Sequence, residues 1–222
     1  MNQTVTKFVE IPKEFLAEIA DDSDRIPRLY YAGNPVLRKM FWRRLRVLNW
    51  LMDRTVAARD CCVDFGGGAG VLLPTLARTF KQVTLVDLEA RQAGLVKSRY
   101  GLSNVEILQA DAAALEFGER PFDAAIAADV LEHFRDLRAP VRLLHQWLKP
   151  GGVLLTSSPT ENWVYVFLRK IFGVEKPWDH YHTGYGVESW IERNGFERIR
   201  TTWAPLPLPI APLFLITAWR RK

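Results

Sequence analysis

Cysteine is nearly absent from this 222-residue chain, and its two cysteines, Cys61 and Cys62, are adjacent. That excludes a disulfide framework and a cysteine-based zinc site. Histidine is scarce as well, at four residues. No apolar run reaches the ~18 residues of a membrane span. The opening stretch from Met1 to Phe15 has no apolar core of the kind a secretory signal carries, so the expected location is the cytoplasm. A strong excess of either charge is missing too: 30 Lys and Arg stand against 25 Asp and Glu, a formal net charge of +5. Hydrophobic residues, by contrast, make up 48% and charged ones 25%, which are globular proportions. The length fits one large domain, or one domain with an attached segment.

The small excess of positive charge is concentrated. Residues 38–59 hold Arg38, Lys39, Arg43, Arg44, Arg46, Arg54 and Arg59 against one acid, Asp53. The rest of the chain is close to neutral. This basic segment lies in a helical region, residues 1–59, expected to cover the cleft of a domain formed by residues 60–222. Ile11 to Ala20 reads as a short amphipathic helix. Asn34-Pro35 signals the start of a longer one, in which Leu37, Met40, Phe41, Leu45, Leu48, Leu51 and Met52 fall on one face. Arg38, Lys39, Arg43, Arg46 and Arg54 fall opposite, with Trp42 and Trp50 among them, while Arg44 lies inside the apolar stripe. A basic face carrying tryptophan suits an anionic membrane surface through residues 35–52, or nucleic acid by phosphate contact and stacking. Because the charge is local to one helix, nucleic acid is the weaker expectation.

From residue 61 the pattern changes. Strand-like runs alternate with helical ones, which predicts a mostly parallel sheet covered on both faces. The first strand, CCVDF, ends in a glycine turn, Gly66-Gly67-Gly68-Ala69-Gly70, that opens a helix. Such a turn lets a ligand approach the backbone. A dinucleotide fingerprint would need glycine at position 71, which is Val, and no Lys with Ser or Thr follows for a triphosphate site. Four successive strands end in an acid: Asp64, Asp87, Asp111 and Asp129. Ligands of open α/β sheets bind at that edge, and an acid there can accept hydrogen bonds from a ribose diol.

The motifs VDFGGGAG, VTLVD, QADAAAL, FDAAIAADVLEHF and LKPGGVLLTSSP together resemble the class I S-adenosylmethionine-dependent methyltransferases, over about Cys61 to Lys222. The resemblance implies a Rossmann-like α/β fold with a seven-stranded sheet, its last strand antiparallel. It implies S-adenosylmethionine as cofactor. The methionine part would lie over Gly66, Gly68 and Gly70, with Asp64 near its amino group. Asp87, with Leu88 beside it, would hold the ribose, Asp111 with Ala112 would meet the adenine, and Asp129 completes the cofactor set. Gly67 stands where the family usually has Cys, a change without expected consequence.

Methyl transfer is an in-line displacement that depends on alignment, and an oxygen or nitrogen acceptor also needs a base. His145 reads as structural, which leaves His133, His180 and His182. Asp129 to His133 is similar to the E-x-x-E-H stretch of quinone-pathway O-methyltransferases, where carboxylates and His are linked to a divalent cation. No metal is assigned here. Asp179 is spaced to orient His182 as a base. The segments expected around the acceptor are the N-terminal helix, residues 162–172 and residues 205–210. All are apolar or aromatic, which suits a small lipophilic acceptor and favours O-methylation. The alternatives are an RNA methyltransferase that uses the basic helix, and a non-catalytic module that binds the same cofactor. Oligomeric state is not legible.

Overall fold

The structure is a computed structural model that describes residues 6–20, 26–115, 117, 122–173, 178–206 and 212–222. Seven strands form one sheet in the order β3-β2-β1-β4-β5-β7-β6. They are β1 (Cys61–Phe65), β2 (Gln82–Asp87), β3 (Val105–Gln109), β4 (Phe122–Ala128), β5 (Leu148–Pro159), β6 (Phe196–Ala204) and β7 (Phe214–Arg221). The first five pair in parallel, and β7 lies antiparallel between β5 and β6. Only the last strand is reversed, as the family resemblance implies.

Alternation along the strands divides the core in two. In β1, Cys62 faces one cluster while Val63 and Phe65 face the other; in β5, Leu155 and Leu154 divide likewise. Helices α2 (Pro35–Thr55), α3 (Leu73–Thr79) and α4 (Arg91–Tyr100) cover the first face. Helices α5 (Arg138–Trp147) and α7 (Gly184–Arg193) cover the second. His145 of α5 packs edge-on against Phe196, a structural position as expected. Two further helices flank the carboxyl edge and the N-terminal end: α6 (Trp163–Phe172) and α1 (Lys13–Ile19). Among the described residues no helix is long and apolar enough to cross a membrane.

Helix α2 starts where Asn34-Pro35 predicts. The Asn34 side chain accepts from the backbone N–H groups of Val36 and Leu37, at 2.9 and 3.3 Å. Its apolar stripe packs on β5, β6 and β7. The buried stripe is wider than periodicity suggests, because residues 6–20 and 26–31 pack over its second side. Trp42 therefore does not sit on the basic face: it is fully buried, edge-on to Tyr30 and Phe8, with Nε1 donating to the Tyr30 carbonyl at 3.2 Å. Trp50 is half-buried between the Arg54 and Arg200 guanidiniums. Three of the basic side chains are paired within the chain, Arg44 with Asp129 and Arg59 with Asp53 out of solvent, and Arg46 with Glu10 at the surface. That leaves less of the segment to meet an outside polyanion.

Trp42 joins the N-terminal segment to the core, so Trp42→Ala should cost about 3–5 kcal/mol of unfolding free energy. Urea unfolding checks this; a loss under about 1 kcal/mol would mean that Phe8 and Tyr30 pack independently of α2.

Candidate functional site

The strand order reverses between β1 and β4: β1 connects outward to β2, and β4 lies on its other side. In an open α/β sheet the crevice at that reversal is the ligand site. Two turns wall it, the glycine turn after β1 and a 3-10 turn, Leu131–His133, after β4. They touch at one point. Gly66 has φ +67°, and a Cβ there would stand 2.2 Å from Val130 Cγ2, so neither the conformation nor the space admits a side chain.

The four strand-end acids lie along this edge in four different situations. Asp64 is buried, with Oδ2 lacking any partner. Burial, with the Asp87 charge adding to it, pushes its carboxyl up to about 7. Asp87 is tied to the glycine turn: its Oδ2 accepts from Gly68 N–H at 2.8 Å and its Oδ1 from Glu89 N–H at 3.0 Å. Leu88 beside it is exposed. Asp111 caps a 3-10 turn, Ala112–Ala114, accepting from Ala113 N–H at 2.9 Å. Asp129, at φ +54°, is already engaged: Oδ2 pairs with Arg44 Nε at 2.5 Å and Oδ1 accepts from Ser157 Oγ at 3.0 Å. A Cβ at Gly67 would meet Asp64 Oδ2 and Leu85 Cδ1, each at 2.6 Å, so a side chain there would have to displace the ends of these two side chains.

Arg44 explains its own place in the apolar stripe. It crosses from α2 to the strand edge, 3% exposed, with Nη2 donating to Tyr30 Oη at 2.9 Å, Nη1 to the Phe41 carbonyl at 2.7 Å, and the guanidinium 3.7 Å over the Phe41 ring. The sequence signal for it was an arginine among leucines. Its partner in space could not be read from the chain.

The histidines divide. His133 and His180 meet edge to face, ring centroids 4.7 Å apart. His133 Nδ1 lies 2.9 Å from Asp179 Oδ2, though without hydrogen-bond alignment. His180 Nδ1 lies 3.2 Å from Glu161 Oε1, and Glu161 in turn accepts from Arg169 at 2.8 Å. Burial lowers the His180 imidazole below its ordinary value, although Glu161 works in the opposite direction. His182 stands apart at the surface, with Nε2 3.3 Å from the Arg135 carbonyl. Asp179 therefore serves His133 and not His182: the loop turns so that Tyr181 N–H bonds to the Glu132 carbonyl, at 2.9 Å.

Glu132, fully buried with both carboxylate oxygens unpartnered, is pushed well up by burial and by Asp129. Glu132, His133 and His180 bring one ligand atom each within 4.8 Å of one another, a donor set that could hold a divalent cation. It differs from the motif's set, since Asp129 is committed to Arg44. Sequence reasoning missed Glu161 and Arg169, which carry no motif.

The model of a methyltransferase domain matches residues 29–207. The chain belongs to that methyltransferase domain family. It is 33% identical over 105 residues to an uncharacterized methyltransferase of Mycobacterium bovis, covering 47% of this chain and 53% of that protein. It is 30% identical over 135 residues to a ubiquinone biosynthesis O-methyltransferase of Pseudomonas entomophila, covering 59% and 57%. The chain thus spans about half the length of the curated relatives it matches. Among solved structures, the N-methyltransferase NodS of Bradyrhizobium japonicum in complex with S-adenosyl-L-homocysteine aligns with a TM-score of 0.66 at 20% identity, over 94% of this chain and 97% of that one. Magnesium protoporphyrin IX methyltransferase of Synechocystis, with the same molecule bound, gives 0.66 at 21% identity over 95% and 100%. The methyltransferase fold is therefore shared along nearly the whole chain.

Asp64 titrates near 7 in this fold, against an ordinary value of 3.8. The folded state thus holds a proton that the unfolded state releases, and stability should fall as pH rises from about 4 through about 7. The decline is on the order of 4 kcal/mol at most. Asp64→Asn should remove this part of the decline and leave that of Glu132; a slope unchanged by the substitution, in denaturant melts of ligand-free protein, would contradict the assignment.

Proposed function

We propose that this methyltransferase-family chain transfers a methyl group from S-adenosylmethionine to a small lipophilic acceptor, with oxygen as the accepting atom. The observation that carries the reading is Asp64: a buried carboxylate oxygen without a partner, under a glycine turn, at the reversal of strand order. An ammonium group is the partner such an oxygen lacks. Gly68, at φ +52° with no protein atom within 4 Å of where a Cβ would stand, leaves the backbone open to close approach of the methionine part. Asp87, held by the Gly68 amide, keeps lone pairs for a ribose diol, and Ala112 follows Asp111 at the adenine end. The cofactor supplies an activated methyl group on sulfur. The chain's own residues bind it, orient the acceptor and take up the acceptor's proton.

Arg44 holds Asp129 so that residues 1–59 act as the cover of the cleft in the domain of residues 60–222. His180, oriented by Glu161 and with burial lowering its imidazole below the ordinary value, and His133, beside Asp179, are the proton-accepting pair. The inner side of α6 supports the apolar acceptor: Tyr165 packs edge-on to Phe214, centroids 5.7 Å apart. The expected third acceptor segment lies mostly outside the described residues, at 207–211. The ubiquinone biosynthesis O-methyltransferases among the relatives support an oxygen acceptor.

The test is incubation with methyl-labelled S-adenosylmethionine and a lipid-soluble cell extract, followed by mass spectrometry of the labelled product. A labelled methyl ether is expected; no label, or label on nitrogen, would contradict the reading. With the acceptor in hand, His133→Gln and His180→Gln should each lower kcat about 10²–10⁴-fold. His182→Gln should stay within about threefold, and an equal loss at His182 would overturn the base assignment.

A further inference from the structure

Helix α6 is built the wrong way round for a surface helix. Of its ten residues, WVYVFLRKIF, none is buried and none is acidic. Val164, Tyr165 and Leu168 pack against the core from one side. The other side shows Trp163, Phe167 and Ile171, at 80%, 55% and 58% exposure, spaced four residues apart along one line. Lys170 is exposed beside them. The helix is held firmly in this pose. Asn162 caps it, accepting from Tyr165 N–H at 2.8 Å, and its Nδ2 donates to the Pro212 carbonyl at 2.7 Å.

The core sides of α6 and α2 meet at Phe214. Phe41 of α2 and Tyr165 of α6 both pack edge-on to Phe214, at 6.3 and 5.7 Å. On the opposite side of α2 from Phe41, Lys39 and Arg43 are exposed, and Arg43 Nε reaches the Pro205 carbonyl at 3.4 Å, beside the exposed Leu206. No ion pair takes up Lys39, Arg43 or Lys170 among the described residues, whereas Arg44 and Arg46 are taken up. Residues 34–52 and 162–173 carry no acidic side chain.

We propose that α6, together with the Lys39–Arg43 line of α2, docks the protein on an anionic lipid bilayer surface. Tryptophan and phenylalanine enter the headgroup boundary, and the ammonium and guanidinium groups meet lipid phosphates. A second copy of this chain suits the face less well. A two-fold contact through this face would place the cations of both copies in one interface that contains no acid from residues 34–52 or 162–173. Docking here sets the acceptor side of the cleft against the bilayer, from which a lipophilic molecule enters without crossing water. The inference goes beyond the methyl-transfer reading, and its test uses no cofactor, so either can fail alone.

The experiment is co-sedimentation of the full chain with vesicles of phosphatidylcholine containing phosphatidylglycerol, and with phosphatidylcholine alone. Binding to the anionic vesicles should be about tenfold stronger or more and fall with added salt. F167S/I171S and K39E/R43E should each weaken it at least about tenfold while circular dichroism stays as in the wild type; both pairs are surface residues. Trp emission should shift to the blue on binding, and the shift should be lost in Trp163→Ala. Equal binding to both vesicles, or F167S/I171S binding like the wild type, would overturn the proposal. So would a wild-type dimer in analytical ultracentrifugation that F167S/I171S dissolves, which would give the face to a second copy.

Discussion

The ion pair between Arg44 and Asp129 is the constraint on which the site depends. An arginine this deeply buried is tolerated only if charge and donors are met, and here Asp129, Tyr30 and the Phe41 carbonyl meet them. The pair joins α2 to the end of β4 at the strand-order reversal. It holds Asp129 at φ +54°, from which the chain turns into Leu131–His133. Removing one partner would leave an uncompensated charge inside the protein, a change that costs about 3–5 kcal/mol in comparable buried pairs. The N-terminal segment and the sheet edge are in this sense one unit.

That arrangement separates two kinds of acid along the same edge. Asp129 is satisfied and serves the architecture. Asp64 is unsatisfied, and burial raises its carboxyl into the neutral range. A buried acid without a partner costs stability, and such groups concentrate where a ligand supplies the partner. Glu132 is a second case of the same kind on the other wall of the crevice, next to the paired imidazoles. The crevice is therefore polarised, with an orphaned carboxylate under the glycine turn and a carboxylate with two histidines opposite, which the proposed reading gives to the cofactor and to the acceptor respectively.

Much of this was legible in the sequence where physics is local. Alternation in CCVDF and VLLTSS, the Asn34-Pro35 start and the glycine turn each follow from backbone rules, and the strand-end acids follow from topology. Trp42 was misplaced because a helical wheel sees one covering face, and residues such as Phe8 and Tyr30 supply a second. Asp179 was matched to His182 by spacing, but the loop folds back on Glu132 and delivers it to His133. Glu161 reaches His180 across 19 positions, and no motif reports such a pairing. Asp123, equally unremarked, accepts from the Asp60 and Cys61 amides at the far end of the sheet, a purely structural task for an acid of the same strand.

The central claim is that Asp64 waits for a cationic group of S-adenosylmethionine. Its most direct test is titration calorimetry of S-adenosylmethionine at pH 6.5 in buffers of different ionisation enthalpy. Asp64 is then mostly protonated in the free protein and must ionise to pair, so binding should release roughly 0.8 proton. The same titration on Asp64→Asn should show weakened binding and no such release. Absence of binding, or binding with no proton exchange in the wild type, would contradict the account.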